Sequence, residues 1–122
     1  MRMWNINPVI LCRKHLLGEH LEMHMFVGSI KKERNIKGYI KNGLVEIHNI
    51  INRHDILVME MNRRNMNHKS PIEIIELWNE GYVNIKENEK ILFDRCHECY
   101  RNYVRFMSSM EIREINNEKG IN

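Results

Sequence analysis

The sequence has few cysteines, no long apolar run, no internal repeat and no low-complexity segment. Its three cysteines, Cys12, Cys96 and Cys99, are an odd number. They do not form the disulfide framework of a small secreted protein, so we expect reduced thiols. No apolar run approaches the ~18 residues that a membrane-spanning helix needs, and the first residues lack the apolar core of a signal peptide. These absences predict a cytoplasmic protein with no membrane partner.

What is present is the composition of an ordinary globular domain. Hydrophobic residues make up 43% of the chain and charged residues 29%, which excludes the composition of a disordered protein. A length of 122 residues is enough for one domain but not for two. We therefore expect a single domain over residues 1–122, with a frayed tail from about residue 112.

Positive charge is concentrated in the first part of the chain. Residues 1–69 carry 12 Lys/Arg against 6 Asp/Glu, a net charge of +6, whereas residues 70–122 carry 7 against 10, a net charge of −3. The basic part would attract a polyanion such as DNA. A basic excess is equally typical of an ordinary solvated surface, so charge alone leaves both interpretations open.

The spacing of apolar residues predicts an all-α fold of about four helices, with a long and largely buried N-terminal helix. Asn7 and Pro8 have the residue types of an N-cap and a first helical position. Ser70 and Pro71 repeat this signal, and Gly81 has the residue type that ends a helix. We predict helices over residues 8–32, 47–62, 70–80 and 87–110, with a loop containing one helical turn over residues 33–46.

Three polar residues share one face of the predicted first helix. His15, Glu19 and Glu22 are spaced i, i+4 and i+7, which places them within an arc of about 40°. Leu11 and Phe26 lie on the same face, and polar groups in an apolar surface need partners and have displaced pKa values. The spacing fits a catalytic centre, and it equally fits a buried His–Glu pair that holds the helix in register.

The segment from His15 to Glu22, His-Leu-Leu-Gly-Glu-His-Leu-Glu, is followed by Phe26-Val27-Gly28 and the basic pair Lys31-Lys32. It resembles the first helix of the phage endonuclease V family, which are pyrimidine dimer DNA glycosylases. In this register Met1-Arg2 falls opposite the Thr-Arg N-terminus of that family. Residues 73–86 are similar to the family's next helix and the segment that follows it.

The resemblance implies a DNA-repair glycosylase with AP-lyase activity, encoded by a phage or a cell. Such enzymes flip a nucleotide out of double-stranded DNA, attack the sugar C1′ with an N-terminal α-amine, and cleave the strand through a Schiff base. It implies a monomer that uses no metal and no cofactor, with Met1 as nucleophile and Glu22 as catalytic carboxylate. An α-amine has a pKa of about 7.7–8.0, so part of it is neutral at pH 7. Because Arg2 is too large for aminopeptidase removal of Met1, we expect Met1 to be retained.

The family's DNA contacts are only partly matched. Arg2 and His15 correspond to family residues, which implies that they contact phosphate and hold the N-terminus in place. The family's arginines beside the catalytic glutamate are Leu21 and Met25 here. Other phosphate contacts must replace them, and the candidates are Arg13, Lys14, His20 and His24. The recognised base is therefore either a pyrimidine dimer or a related modified base.

Two other functions stay open. His20 and His24 have an i, i+4 spacing that can bind zinc, which would suit a metal-dependent nuclease. Its further ligands would come from His15, Glu19, His54, Asp55 and His68. Cys96 and Cys99 have Cys-x-x-Cys spacing, but no second pair exists, so core packing is favoured for them. The last alternative is a non-enzymatic DNA-binding or host-interaction protein on the same scaffold.

Overall fold

The computed structural model describes residues 1–118 and contains five α-helices in that range. They are α1 (Arg13–Lys31), α2 (Lys37–Lys41), α3 (Ile50–Arg63), α4 (Ile85–Arg95) and α5 (His97–Glu118), with short 3₁₀ helices at Pro8–Ile10 and Ile47–Asn49. The described residues contain no β-strand, so the predicted all-α fold is confirmed. Among them, no helix combines the length and the apolar character needed to cross a membrane.

The core is built around α1 and α3, which pack against each other. From α1 it takes Leu16, Met23 and Phe26, and from α3 it takes Ile50 and Leu57, all fully buried. Burying a side chain of this size contributes about 1.5–3 kcal/mol, so these contacts dominate the stability of the helix pair. The long and largely buried N-terminal helix is confirmed, and its partner α3 matches the helix predicted over residues 47–62.

The first helix begins later than predicted because the chain is extended at Leu11 and Cys12. Asn7 does act as an N-cap, but only for the preceding 3₁₀ turn. The break leaves backbone carbonyls without helical partners, and buried carbonyls need them. The Arg64 guanidinium donates to the carbonyl oxygens of Val9 and Leu11 at 3.3 and 2.7 Å. It also donates at 3.1 Å to the Pro8 carbonyl, which accepts from the Leu11 amide as well.

The predicted last helix is interrupted at Cys96, where α4 ends and after which α5 begins. The backbone of Cys96 is extended, with φ −133° and ψ 101°. Apolar residues continue at helical spacing across this position, so the interruption carries no periodicity signal. The tail predicted to fray from about residue 112 is helical as far as Glu118, and residues 119–122 lie outside the described part.

The helix predicted over residues 70–80 is wrong, because the chain has no helix between α3 and α4. Ser70 and Pro71 have the residue types that favour the start of a helix, but tertiary contacts override this local helix propensity. Ile72, Ile75 and Leu77 pack half-buried against the core, and Lys31 of α1 pairs with Glu73 at 2.6 Å. The segment therefore covers the core in an irregular conformation.

Gly81 ends this segment where it passes the turn before α3. The Ile47 amide donates to the Glu80 carbonyl at 2.9 Å, and the Val83 amide donates to the Glu46 carboxylate at 2.9 Å. Gly81 has φ +97°, and a Cβ added there would overlap the carbonyl oxygen of Val45. Both the backbone angle and the close approach require glycine.

Replacing Gly81 with alanine should lower the free energy of unfolding by more than about 1 kcal/mol, since a left-handed backbone alone costs a non-glycine residue about that much. Urea denaturation would measure the change. Gly38→Ala is the matched control, because Gly38 lies within α2 and an added Cβ there meets no atom within 4 Å. Equal unfolding midpoints for the two variants would contradict the role assigned to Gly81.

Candidate active site

A cavity of about 490 Å³ opens beside the first residues of the chain. Its walls come from the N-terminal segment, from α1 and from the end of α4. It brings together six residues that the sequence had singled out, which are Met1, Arg2, Lys14, His15, Glu19 and Glu22. Arg95 also lines the cavity, and the sequence offered no signal for it.

The N-terminal segment is held in place by backbone and side-chain hydrogen bonds. The Met3 amide donates to the Leu44 carbonyl at 2.6 Å. The buried Asn88 side chain on α4 donates to the carbonyls of Met3 at 3.2 Å and Trp4 at 2.8 Å. The Arg2 guanidinium donates to the Asn88 carbonyl oxygen at 3.1 Å and lies 4.2 Å from the ring centroid of buried Trp4. These contacts position Met1 at the edge of the cavity.

Glu19 is a fully buried carboxylate in the wall of the cavity. Its two oxygens accept from Nε and Nη2 of Arg53 on α3, at 2.7 and 2.9 Å. One of them also accepts from the Trp4 amide at 3.1 Å. Such two-pronged pairs fix geometry as well as energy. Removing either partner would leave an uncompensated buried charge, at a cost of about 3–5 kcal/mol.

Glu22 lies one helical turn beyond Glu19 and has no such cationic clamp. Burial raises the pKa of its carboxyl group, and the nearby charge of Glu19 acts in the same direction. The Arg2 backbone amide, the N-terminal ammonium and the Arg2 side chain oppose this rise in the pKa. Gly18 leaves open space one turn earlier, since a Cβ added there meets no atom within 4 Å. Glu22 is therefore a half-buried carboxylate beside the α-amine, with room in front of it.

Positive charge borders the cavity on several sides. Arg2, Lys14 and Arg95 line it, and arginine stays protonated in proteins. Leu21 and Met25, which stand where the family has arginines, are exposed at 59% and 47%. The cations at this cavity therefore come from the N-terminus, the start of α1 and the end of α4.

The other candidates for phosphate contact lie elsewhere. Arg13 is exposed at the first position of α1 and does not line the cavity. His20 and His24 lie with His54 and His68 in a group whose ring nitrogens are within 4.8 Å of one another. Burial, and then the neighbouring imidazoles, lower the pKa of His20 to about 4. The structure thus places His20 and His24 in a separate cluster, not among the cavity residues.

His15 contacts both the cavity and a group of three cysteines. It lines the cavity, and its Nδ1 lies 3.1 Å from the Cys12 sulfur and 3.7 Å from the Cys99 sulfur. Cys96 completes this second group. In the sequence, Cys96 and Cys99 had the spacing of half a metal site, with no second Cys-x-x-Cys pair to complete it. In the structure, Cys12 and His15 lie beside them and form a second pair of potential ligands.

Comparison with known proteins identifies a matching family. A family model described as pyrimidine dimer DNA glycosylase matches residues 1–74. The matched range includes Met1, Glu22 and all four clustered histidines, and it ends before Asn88 and Arg95. No curated protein and no solved structure matches the chain.

Proposed function

The chain belongs to the pyrimidine dimer DNA glycosylase family, and on that basis we propose that it is a bifunctional DNA glycosylase and AP lyase. Its substrate is double-stranded DNA that carries a pyrimidine dimer or a related modified base. The observation that carries the proposal is the cavity shared by Met1, Arg2 and Glu22. Its volume of about 490 Å³ falls within the usual range of small-molecule sites, so it has room for a flipped nucleotide.

The nucleophile in this mechanism is the α-amine of Met1. In its neutral form the nitrogen attacks the sugar C1′, the N–C1′ bond forms, and the bond from C1′ to the base breaks. The base leaves with a proton, the sugar ring opens, and the nitrogen becomes the imine of a Schiff base. Loss of a proton from C2′ then expels the 3′-phosphate, which cleaves the strand by β-elimination. A positioned amine makes this covalent route available without a metal.

Glu22 is the carboxylate of this reaction. A negative charge at this point stabilises the positive charge that develops on the sugar as the base departs. The same group can move protons during ring opening and elimination. Its position beside the N-terminal ammonium, whose charge acts on its pKa, supports both roles.

Arg2, Lys14 and Arg95 are the phosphate contacts in this proposal. All three residues line the cavity, and their charges attract the phosphates on either side of a flipped nucleotide. They replace the arginines that the family has at the positions of Leu21 and Met25. These cations differ in position from the arginines of the family. We therefore expect the preferred lesion, more than the reaction itself, to differ from that of the family.

Borohydride trapping tests the proposal directly, because it reduces a Schiff base to a stable protein–DNA adduct. The chain, with a free N-terminus and no added divalent metal, is incubated with a duplex carrying an abasic site and with one carrying a thymine dimer. We expect adducts with both, and with neither when the duplex is undamaged. Trapping of the abasic duplex alone would limit the activity to the lyase step or to another base. No adduct with either duplex would overturn the proposal.

A further inference from the structure

Cys12, His15, Cys96 and Cys99 converge at one point where the N-terminal segment meets the junction of α4 and α5. The sulfurs of Cys12 and Cys96 are 3.8 Å apart, and each residue offers a ligand atom within 4.8 Å of the others. Around a tetrahedral zinc ion, bond lengths of about 2.3 Å to sulfur and 2.0 Å to nitrogen place neighbouring ligand atoms about 3.5–3.8 Å apart. The sulfur separation is far too long for a disulfide, whose bond is about 2.05 Å.

The two pairs of ligand residues share their spacing and their local backbone conformation. Cys12-x-x-His15 and Cys96-x-x-Cys99 repeat the same spacing, and each pair begins at an extended residue where a predicted helix is interrupted. Backbone amides point at the sulfurs: Cys12 N donates to Cys99, His15 N to Cys12 and Cys99 N to Cys96, at 3.2, 3.4 and 3.4 Å. Donors arranged in this way stabilise thiolates, which are the form that binds metal.

The histidine cluster is carried by a different observation. Among the described residues, five buried side-chain nitrogen or oxygen atoms have no hydrogen-bond partner, and four of these are the Nε2 atoms of His20, His24, His54 and His68. Each unpartnered buried polar atom costs about 1–3 kcal/mol. Four such atoms in one cluster would lower the stability of the fold considerably unless they bind a ligand.

The chemistry of these four imidazoles fits a metal ion. His20 and His24 lie one turn apart on α1, His54 lies on α3, and His68 follows α3 in the chain. The His54 Nδ1–H donates to the Asp55 carboxylate at 2.9 Å, which leaves the Nε2 lone pair directed into the cluster. A carboxylate behind a metal-binding histidine has this role in known metal sites.

We propose that the chain binds two zinc ions, one at Cys12, His15, Cys96 and Cys99 and one at His20, His24, His54 and His68. Four protein ligands close each coordination shell, so both ions are structural and neither activates water. The first ion ties the start of α1 to the α4–α5 junction and fixes the His15 wall of the cavity. The second ties α1, α3 and the segment after α3.

Metal analysis of the full chain, purified without a polyhistidine tag or chelator, tests the proposal. We expect two zinc ions per chain by mass spectrometry. Cobalt(II) replacement should give the visible bands of tetrahedral cobalt together with thiolate-to-cobalt charge transfer in the near ultraviolet. A folded wild-type chain that holds no zinc and takes up no cobalt would overturn both sites.

Single variants assign the two ions separately. Cys96→Ser should lose one zinc ion and the charge-transfer band, whereas His68→Gln should lose one zinc ion and keep that band. His97→Gln and His48→Gln are matched controls, because both histidines are exposed and outside the clusters. Unchanged zinc content in either ligand variant would overturn that site. If a ligand variant does not fold, the zinc content and cobalt spectrum of the wild type decide the matter.

The metal proposal and the proposed function can fail independently. Neither ligand set contains Met1 or Glu22, and zinc content is measured without DNA. Zinc without borohydride trapping would leave the metal sites and remove the glycosylase. Trapping without zinc would do the reverse.

Discussion

Replacing Glu22 with glutamine should reduce the rate of Schiff-base trapping and strand cleavage by about 100- to 10,000-fold, the range that a positioned proton-transfer group contributes. Glutamine has the same shape but carries no negative charge and cannot exchange a proton. The fold should be unaffected or slightly more stable, because burial already disfavours the charge and raises the pKa of this carboxyl group. Single-turnover trapping on an abasic duplex and a thermal unfolding curve would measure the two effects.

Two other glutamates serve as controls for the Glu22 variant. Glu76 is exposed on the irregular segment, so Glu76→Gln should change neither trapping nor stability. Glu19 borders the same cavity but is clamped by Arg53, so Glu19→Gln should lower the unfolding temperature. If the Glu22→Gln variant traps DNA at the wild-type rate, this carboxylate is not part of the reaction, even though it lines the cavity.

Long amphipathic segments could be predicted from the sequence because their periodicity reflects packing of the segment itself. α1 and α3 were predicted on this basis. The helical turn predicted within residues 33–46 corresponds to α2, but that segment was described as a polar loop with two glycines and not as an amphipathic helix. The segment after Ser70 shows the limit of local signals. Its capping residues favour a helix, but contacts such as the pair between Lys31 and Glu73 hold it in another conformation, and contacts across 42 residues are not visible in local residue types.

Some residues of the candidate site could also be predicted from the sequence, and others could not. The i, i+4, i+7 spacing placed His15, Glu19 and Glu22 on one face, and the family resemblance placed Met1 beside them. Asn88 and Arg95 could not be predicted, because both come from α4, more than 80 residues along the chain from the N-terminal segment. Asn88 holds that segment by hydrogen bonds, and Arg95 lines the same cavity. The breaks at Cys12 and Cys96 were missed because apolar periodicity runs through both positions.

The histidines show how one pattern supports two interpretations until the fold is known. His20 and His24 were candidates for phosphate contact because they flank Glu22 in the sequence. On a helix, residues two apart point about 200° away from each other, so both lie on a different side of α1 from Glu22. His54 and His68, which the sequence suggested as possible metal ligands, are the residues that the structure places beside them.

Blocking the N-terminal amine should abolish Schiff-base trapping while leaving DNA binding intact. Adding Gly-Ser before Met1 replaces its primary amine with an amide and moves the terminal amine by up to about 7 Å. Because covalent attack depends on close positioning, we expect a loss of at least about 100-fold. The same two residues added after Asn122 serve as the control and should change nothing. Trapping is measured on the abasic duplex, and binding is measured by fluorescence anisotropy.

Lys14 provides the decisive comparison, because it carries another amine that lines the same cavity. Lys14→Arg keeps the positive charge for phosphate but removes the nucleophilic amine, so we expect it to trap DNA as the wild type does. Proteolysis of the wild-type adduct should locate the DNA on the peptide that contains Met1. An adduct on Lys14, together with full trapping by the extended chain, would transfer the nucleophile from the N-terminus to α1. Glu22 and the cavity would then serve a lysine-based lyase instead.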